Sequence, residues 1–235
     1  MNSPKTPLVS VSHLTKKYRN TTALDDLSLD LAAGSIVGLL GANGCGKTTL
    51  LKILAGVLSD WSGSVILDGH APGAHTKAVT AFLPGNDFLD PALTPARAID
   101  LYTHFFDDFD AAKARETIDF FALPMTRSLK EMSKGMGEKL QIALVMARKA
   151  KVYLLDEPIS GVDPAAREVI MNGILRDFSE DALMIVSTHL IADIEPVIDH
   201  AVILKDGRLL MAGNADDLRE EHSCSLDRLF RKEYR

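Results

Sequence analysis

The run Gly41-Ala42-Asn43-Gly44-Cys45-Gly46-Lys47-Thr48-Thr49 fits the phosphate-loop pattern G-x-x-x-x-G-K-[ST] without a gap. Its flanks fit as well. Ile36-Val37-Gly38-Leu39-Leu40 reads as a buried strand feeding the loop. Leu50, Leu51, Ile53 and Leu54 are spaced for a buried helix over Thr49 to Ala55. Glycines at 41, 44 and 46 let successive backbone N–H groups turn inward at a helix N-terminus, which makes an anion nest. In such a loop Lys47 reaches the β- and γ-phosphates of a nucleotide, and the Thr48 hydroxyl sits on Mg²⁺.

The rest of the chain must provide a setting for that loop. At 235 residues, 46% hydrophobic and 25% charged, it has the profile of one globular domain with room for an inserted subdomain. The formal net charge of −6 gives no basic footprint, so no nucleic-acid partner is expected. Cys45 and Cys224 are too few for a disulfide framework and suit a reducing, cytosolic compartment. No run approaches the roughly 20 apolar residues of a membrane span. The segment from Met1 to Pro7 has no apolar signal-peptide core and reads as a disordered lead-in. Work at a membrane would therefore go through a partner.

Leu8 to Leu14 and Ala23 to Leu31 read as half-buried strands, the second alternating at Leu27, Leu29 and Leu31. Ser64 to Leu67 is a strand running into the tight turn Asp68-Gly69, and Thr80 to Leu83 is a strand stopped by Pro84-Gly85. From about residue 95 to residue 148 the pattern turns helical, with Ala96–Phe106, Asp110–Leu123 and a third helix from near Gly135 to Lys149. This is a helical insert in an otherwise α/β domain. The acidic, aromatic run Phe105-Phe106-Asp107-Asp108-Phe109-Asp110 has no Ca²⁺-loop spacing and reads as a solvated helix–helix connection. Strands at Lys151–Leu155 and Leu183–Ser187 flank a helix over Pro164–Phe178. A hairpin turns at Asp206-Gly207, and one charged helix over Asp216–Tyr234 closes the chain.

Two further motifs narrow the chemistry. Val152-Tyr153-Leu154-Leu155-Asp156 is an apolar strand ending in a carboxylate suited to Mg²⁺. Glu157 follows directly, where it can polarise a water for attack on a γ-phosphate. His189 stands at the tip of the strand ending Ser187-Thr188, on the sheet edge where parallel strands present ligands. There it can hold the γ-phosphate and orient Glu157. The other six histidines form no ligand-spaced cluster, so no zinc site is assigned.

Phosphate loop, helical insert, Met132-Ser133-Lys134-Gly135-Met136, Leu154-Leu155-Asp156-Glu157-Pro158, Ser160-Gly161-Val162-Asp163 and Ser187-Thr188-His189 follow one another in this order. The order resembles that of an ABC-transporter ATPase subunit, from about Leu8 to Met211. The resemblance implies a P-loop NTPase fold with a mostly parallel core sheet, an antiparallel β subdomain and the helical insert. It implies ATP and Mg²⁺ as cofactors, held by Gly41, Asn43, Gly44, Cys45, Gly46, Lys47, Thr48 and Thr49, with Thr48 and Asp156 on the metal. Lys47, Glu157 and His189 would serve hydrolysis. Ser133 and Gly135 would cap the γ-phosphate held by the opposite protomer in a head-to-tail dimer, with itself or with a sibling ATPase. Asp163 corresponds to the inter-subunit loop aspartate. Tyr18 stands where the family places an adenine-stacking aromatic, a place at which core or surface packing is the other reading. The partner implied is a separate transmembrane permease, which would hold the protein at the cytoplasmic face of the membrane.

Some residues depart from the family pattern. Lys134 and Met136 replace a glycine and a glutamine of the usual signature; Ser-Lys-Gly-Met resembles a branch that works with separate permeases, often exporters. Lys134 either adds charge near the trapped phosphate or points to water. At Leu83-Pro84-Gly85-Asn86 the family's glutamine, which senses Mg²⁺ and the attacking water, is missing, and Asn86 is its nearest substitute. Cys45 satisfies a packing need for a small residue; a helix N-terminus beside it also favours a reactive thiolate, which ATP would shield from alkylation. Two rivals fit less well. A soluble ABC-type ATPase usually has two cassettes, a coiled coil or zinc cysteines, and a GTPase needs an Asn-Lys-x-Asp motif; none of these is found.

Overall fold

A computed structural model of the chain describes residues 6–179 and 181–234, so residues 1–5 of the expected lead-in lie outside the described residues. In chain order come β1 (Val9–Tyr18), β2 (Thr21–Leu31) and β3 (Ser35–Leu40), then α1 (Lys47–Leu54), β4 (Ser62–Leu67), the short α2 (Ala74–Ala78) and β5 (Thr80–Leu83). Next are α3 (Pro95–Phe105), α4 (Ala111–Phe120) and α5 (Lys134–Met146). Beyond them lie β6 (Val152–Asp156), α6 (Pro164–Asp177), β7 (Leu183–Thr188), α7 (Ile191–Ile194), β8 (His200–Lys205) and β9 (Arg208–Asn214). The described chain ends in α8 (Ala215–His222) and α9 (Leu226–Glu233).

Helix starts have local causes. Side-chain oxygens of Thr94, Asp110, Ser133 and Asp163 accept from backbone N–H groups of the first turns of α3, α4, α5 and α6. Such caps are worth about 1 kcal/mol each. Pro95 and Pro164 occupy first-turn positions, where a missing N–H costs nothing.

The strands form two sheets. One is antiparallel, in the order β2-β1-β4; the other runs β5-β6-β7-β3-β8-β9, parallel except for the β8–β9 hairpin. This is the expected α/β fold, with a mostly parallel core sheet and a smaller antiparallel sheet. Every residue of β3, β6 and β7 is buried, which is why these strands read as unbroken apolar runs rather than alternating ones. Successive side chains feed opposite cores. Ile36, Leu40, Tyr153, Leu155, Met184 and Val186 join the helices of the insert and the C-terminal half. Val37, Leu39, Val152, Leu154, Leu183 and Ile185 pack with α1 and the antiparallel sheet. The period-2 geometry of a strand makes one sheet serve both layers, at about 1.5–3 kcal/mol for each fully buried aliphatic side chain.

The topology also sets the site. β3 lies beside β7, and β7 beside β6, with Leu40 opposite Thr188 and Asp156 opposite Ser187. The phosphate loop, Asp156-Glu157 and Ser187–His189 therefore leave the sheet along one edge.

Beyond shifted strand ends, the structure differs from the sequence reading in the C-terminal helix, in two short helices and in the acidic run. The single C-terminal helix is two, because Ser223 takes a left-handed conformation at φ 50° and ends α8. A new N-terminus then starts α9, where Leu226 N–H donates to Glu195 at 2.8 Å and Ser225 caps. The short α2 and α7 carry too few residues for a period to register. The acidic run is pinned rather than solvated. Asp108 pairs with the buried Arg148 guanidinium at 2.9 Å, which also donates to the carbonyls of Thr80 and Ala78 and lies over the Phe106 ring. Removing Asp108 alone would strand a buried charge, at about 3–5 kcal/mol.

Candidate functional site

A cavity of about 530 Å³ opens where the loops after β3, β6 and β7 meet. Asn43, Gly44, Gly46, Lys47, Thr48 and Thr49 line one wall, and Asp156, Glu157 and His189 the other. Gly46 precedes α1 at φ 109° with no side-chain cap, so the first N–H groups of α1 are free for an anion. Glycine is required there: a Cβ would fall 2.5 Å from the Ala23 carbonyl. At Gly44, φ +83°, the added atom would meet nothing, so that glycine answers to backbone conformation rather than to crowding.

Lys47 is buried, and its Nζ donates to the carbonyls of Gly41 at 2.7 Å and Ala42 at 3.2 Å. Its Nζ also lies 3.5 Å from Glu157 Oε1. The other carboxylate oxygen of Glu157 is 3.0 Å from His189 Nδ1. Glu157 sits in the left-handed region at φ 50°, and its N–H donates to Ser187 Oγ at 3.1 Å. A non-glycine residue in that region costs on the order of 1–3 kcal/mol and persists only where its surroundings fix it. Thr48 Oγ1 donates to Asp156 Oδ1 at 3.1 Å, and Ser187 Oγ donates to the same oxygen at 2.6 Å. A hydroxyl and a carboxylate side by side are hard oxygen donors of the kind Mg²⁺ takes, alongside phosphate oxygens and water. The free helix N-terminus, the lysine and this oxygen pair fit a magnesium–nucleoside triphosphate.

Several candidate residues lie elsewhere. Tyr18 is 43% exposed at the end of β1, with Lys16 Nζ 5.1 Å from its ring centroid, and is not among the cavity-lining residues. Ser133 caps α5 and Gly135 lies in its first turn, both outside the cavity lining. Asp163 caps α6. Gly41 and Cys45 belong to the loop but face its underside. Cys45 is 5% exposed, and the Tyr234 hydroxyl packs against the same place, 3.2 Å from where a Gly41 side chain would begin. Access therefore governs this thiol more than its helix terminus does. We expect iodoacetamide to label the half-buried Cys224 before Cys45, with the Cys45 rate insensitive to ATP and raised by Tyr234→Ala; peptide mass spectrometry reads both. Rapid, ATP-protected labelling of Cys45 in the unaltered protein would contradict this.

Sequence reasoning missed four lining or bridging residues. Ser187 lies in the Ser-Thr-His motif, where its sequence position carries no sign of its bridging role. Gln141, Glu138 and Asp87 line the cavity from α5 and from the loop after β5. Gln141 had a signal: it is an amide inside the run Leu140 to Met146, which is otherwise apolar and buried. Asn86 is exposed, and among the described residues its amide donates only to the neighbouring Asp87 carbonyl, at 3.2 Å.

A strand–loop–helix anion site, a carboxylate pair at the end of the strand two places away in the same sheet and the two-sheet arrangement define a P-loop nucleoside-triphosphate-binding protein. The family profile described as ABC transporter matches residues 24–160. The chain is 29% identical over 219 residues to the ABC transporter ATP-binding protein YtrB of Bacillus subtilis, across 92% of this chain and 75% of that one. It is 30% identical to the Nod factor export ATP-binding protein I of Ralstonia nicotianae, across 91% and 69%. A solved structure described as the ATP binding subunit of an ABC transporter superposes with TM-score 0.85 at 26% identity, across 97% of this chain and all of that one. The chain belongs to the ABC transporter family, as an ATP-binding subunit. Members of this family hydrolyse ATP, dimerise and generally pair with transmembrane permeases.

Proposed function

We propose that this chain hydrolyses ATP with Mg²⁺ and uses the cycle to drive a separate transmembrane permease, most simply as an exporter. The observation that carries the chemistry is Glu157, held between Lys47 and His189 one residue beyond Asp156. Glu157 is the base that polarises the attacking water, His189 keeps its carboxylate turned toward the γ-phosphate, and Lys47 steadies charge on the phosphates. Thr48 and Asp156 would hold Mg²⁺, which when bound would supply charge neutralisation at the phosphate oxygens. Ser187, bonded to both Asp156 and the Glu157 backbone, locks the two carboxylates in register. Tyr18, already exposed, is available to stack on adenine.

Ser133 and Gly135 flank the cavity-lining Lys134 without lining the chain's own cavity themselves, which suits a γ-phosphate clamp offered to a second protomer. Two nucleotides would then hold a head-to-tail dimer together, and hydrolysis would release it. The helices from Pro95 to Met146 act in this reading as an inserted subdomain, residues 95–148 of a domain spanning 8–235. A recess of about 180 Å³, lined by Val57, Phe82, Tyr102 and Phe106 together with Lys77, Thr80 and Arg148, is a suitable permease-docking face. Among the described residues no helix is long and apolar enough to cross a membrane, so the partner would supply the membrane path. The export direction rests on names such as that of the Nod factor relative.

The test is affinity capture from detergent-solubilised membranes of the native host with the tagged, full-length chain, alongside ATPase and GTPase assays. A multi-span protein should co-purify, and ATP should be the preferred substrate. Recovery without any membrane protein, together with active ATP hydrolysis, would leave a soluble ATPase instead.

A further inference from the structure

The two ends of α9 are fastened to segments that leave two different strands of the core sheet. Its first turn hangs on Glu195, six residues beyond His189. Glu195 Oε1 accepts from the Leu226 N–H at 2.8 Å, and Oε2 from the Asp227 N–H at 3.3 Å. Arg219 of α8 holds that carboxylate in place. Its Nε donates to Oε1 at 3.2 Å, and a terminal nitrogen donates to the Glu195 carbonyl at 2.8 Å. A carboxylate on the free N–H groups of a first turn makes charge-assisted bonds and meets the positive end of the helix dipole. Leu226 and Leu229, both fully buried, share one core with Ile191 and Ile194 of α7.

The other end of α9 lies under the phosphate loop. Lys205, the last residue of β8, donates to the Glu233 carbonyl at 2.6 Å and lies 5.3 Å from the Tyr234 ring centroid. A helix C-terminus favours a cation there. Phe230 stacks on the same ring, with 4.2 Å between centroids. Held in this way, the Tyr234 hydroxyl reaches the underside of Gly41, with Cys45 and Ala42 beside it. Its oxygen is buried and has no hydrogen-bond partner among the described residues. Burial, and then Cys45, push the phenol above its usual range, so it stays protonated. The loop has little slack on this side. A Cβ on Gly41 would stand 2.7 Å from the Leu204 carbonyl, and the Cys45 carbonyl accepts from the Gly207 N–H at 3.1 Å. On the cavity side, the carbonyls of Gly41 and Ala42 carry the Lys47 ammonium.

We infer that Tyr234 is a positioning residue for ATP binding: its ring backs the Gly41–Ala42 peptides that hold Lys47, and α9 carries that support from Glu195, in the segment that follows His189. One helix about 12 Å long thereby ties the phosphate loop to the His189 segment, in addition to the pairing of their strands in the sheet. This role rests on the ATP binding of the proposed function and not on hydrolysis.

The test is made in the whole chain, with ATP and Mg²⁺ and with a fluorescent ATP analogue as the probe. Tyr234→Ala should weaken analogue binding about tenfold and raise KM for ATP in step, while kcat changes by less than about twofold. Tyr234→Phe puts the ring back between Phe230 and Lys205 and should return affinity to within about twofold of the parent. Tyr234 is only half-buried, so the melting temperature of either variant should fall by no more than about 4 °C. Glu195→Gln takes the charge from the first turn of α9 and leaves the cover over Cys45 chemically intact. It should weaken analogue binding about threefold and speed iodoacetamide labelling of Cys45, because the far end of α9 is held less firmly. Parent affinity in Tyr234→Ala would overturn the inference. So would failure of Tyr234→Phe to restore binding, or a loss of affinity that vanishes at 10 °C, where a variant that merely unfolds more easily is folded. Unchanged affinity and Cys45 labelling in Glu195→Gln would overturn the tie to the His189 segment. A parent that binds the analogue without turning ATP over overturns the proposed hydrolysis, and affinity and labelling still decide the role of Tyr234.

Discussion

Glu157→Gln lowers ATP turnover by about 10²–10⁴-fold while leaving nucleotide affinity nearly unchanged. The substitution is almost isosteric, so the contact with His189 at 3.0 Å and the left-handed backbone at φ 50° have no steric reason to change. What disappears is a carboxylate able to take a proton from water. Because the bound triphosphate then persists, the γ-phosphate clamp at Ser133 and Gly135 persists too, and the variant accumulates as an ATP-dependent dimer. Single-turnover phosphate release and light scattering with ATP and Mg²⁺ measure the two halves. Turnover at the unmodified rate would remove Glu157 as the base. A slow variant that stays monomeric at every concentration would remove the clamp.

Lys47→Ala acts one step earlier. The ammonium is buried, and its hydrogen bonds within the chain go to carbonyls of the loop, so it is a positive charge held at the helix N-terminus for an anion. Hydrogen bonds to charged groups contribute about 1.5–3 kcal/mol, so affinity for ATP should fall about 10- to 150-fold. Turnover falls with it, because among the described residues the one other lysine or arginine lining the cavity is Lys134, on α5 rather than in the phosphate loop. Alanine favours helix at that position, so circular dichroism and melting temperature should stay close to the parent. Calorimetric titration that finds full affinity for ATP would show that the loop amides alone hold the phosphates.

Much of the site was legible because its parts are local. The phosphate loop, the apolar strand ending at Asp156 and the cap at Ser133 each occupy a short stretch whose geometry follows from its own residues. The strand assignments held for the buried strands, since parallel strands covered on both faces leave long apolar runs. They ran short at Leu8–Leu14 and at Ala201–Leu204. There β1 continues to Tyr18 and β8 begins at His200, because residues of mixed polarity at strand ends pair through backbone hydrogen bonds that carry no side-chain period. The acidic run misled for a related reason: its composition suits solvent, but Arg148, distant in the chain, claims Asp108.

By itself the sequence determined the order of the strands and of the longer helices up to β9, the anion nest and the carboxylates set at a strand end. Each of these depends on the 2.0- and 3.6-residue periods and on covalent neighbours. Only the tertiary structure decided that Thr48 meets Asp156 across 108 residues, that Gln141 rather than Asn86 holds the loop after β5, and that Cys45 faces Tyr234 instead of the cavity. Contacts of that kind follow from the order in which strands lie side by side in the sheet. Backbone pairing and shared burial fix that order, and no single stretch of residues encodes it.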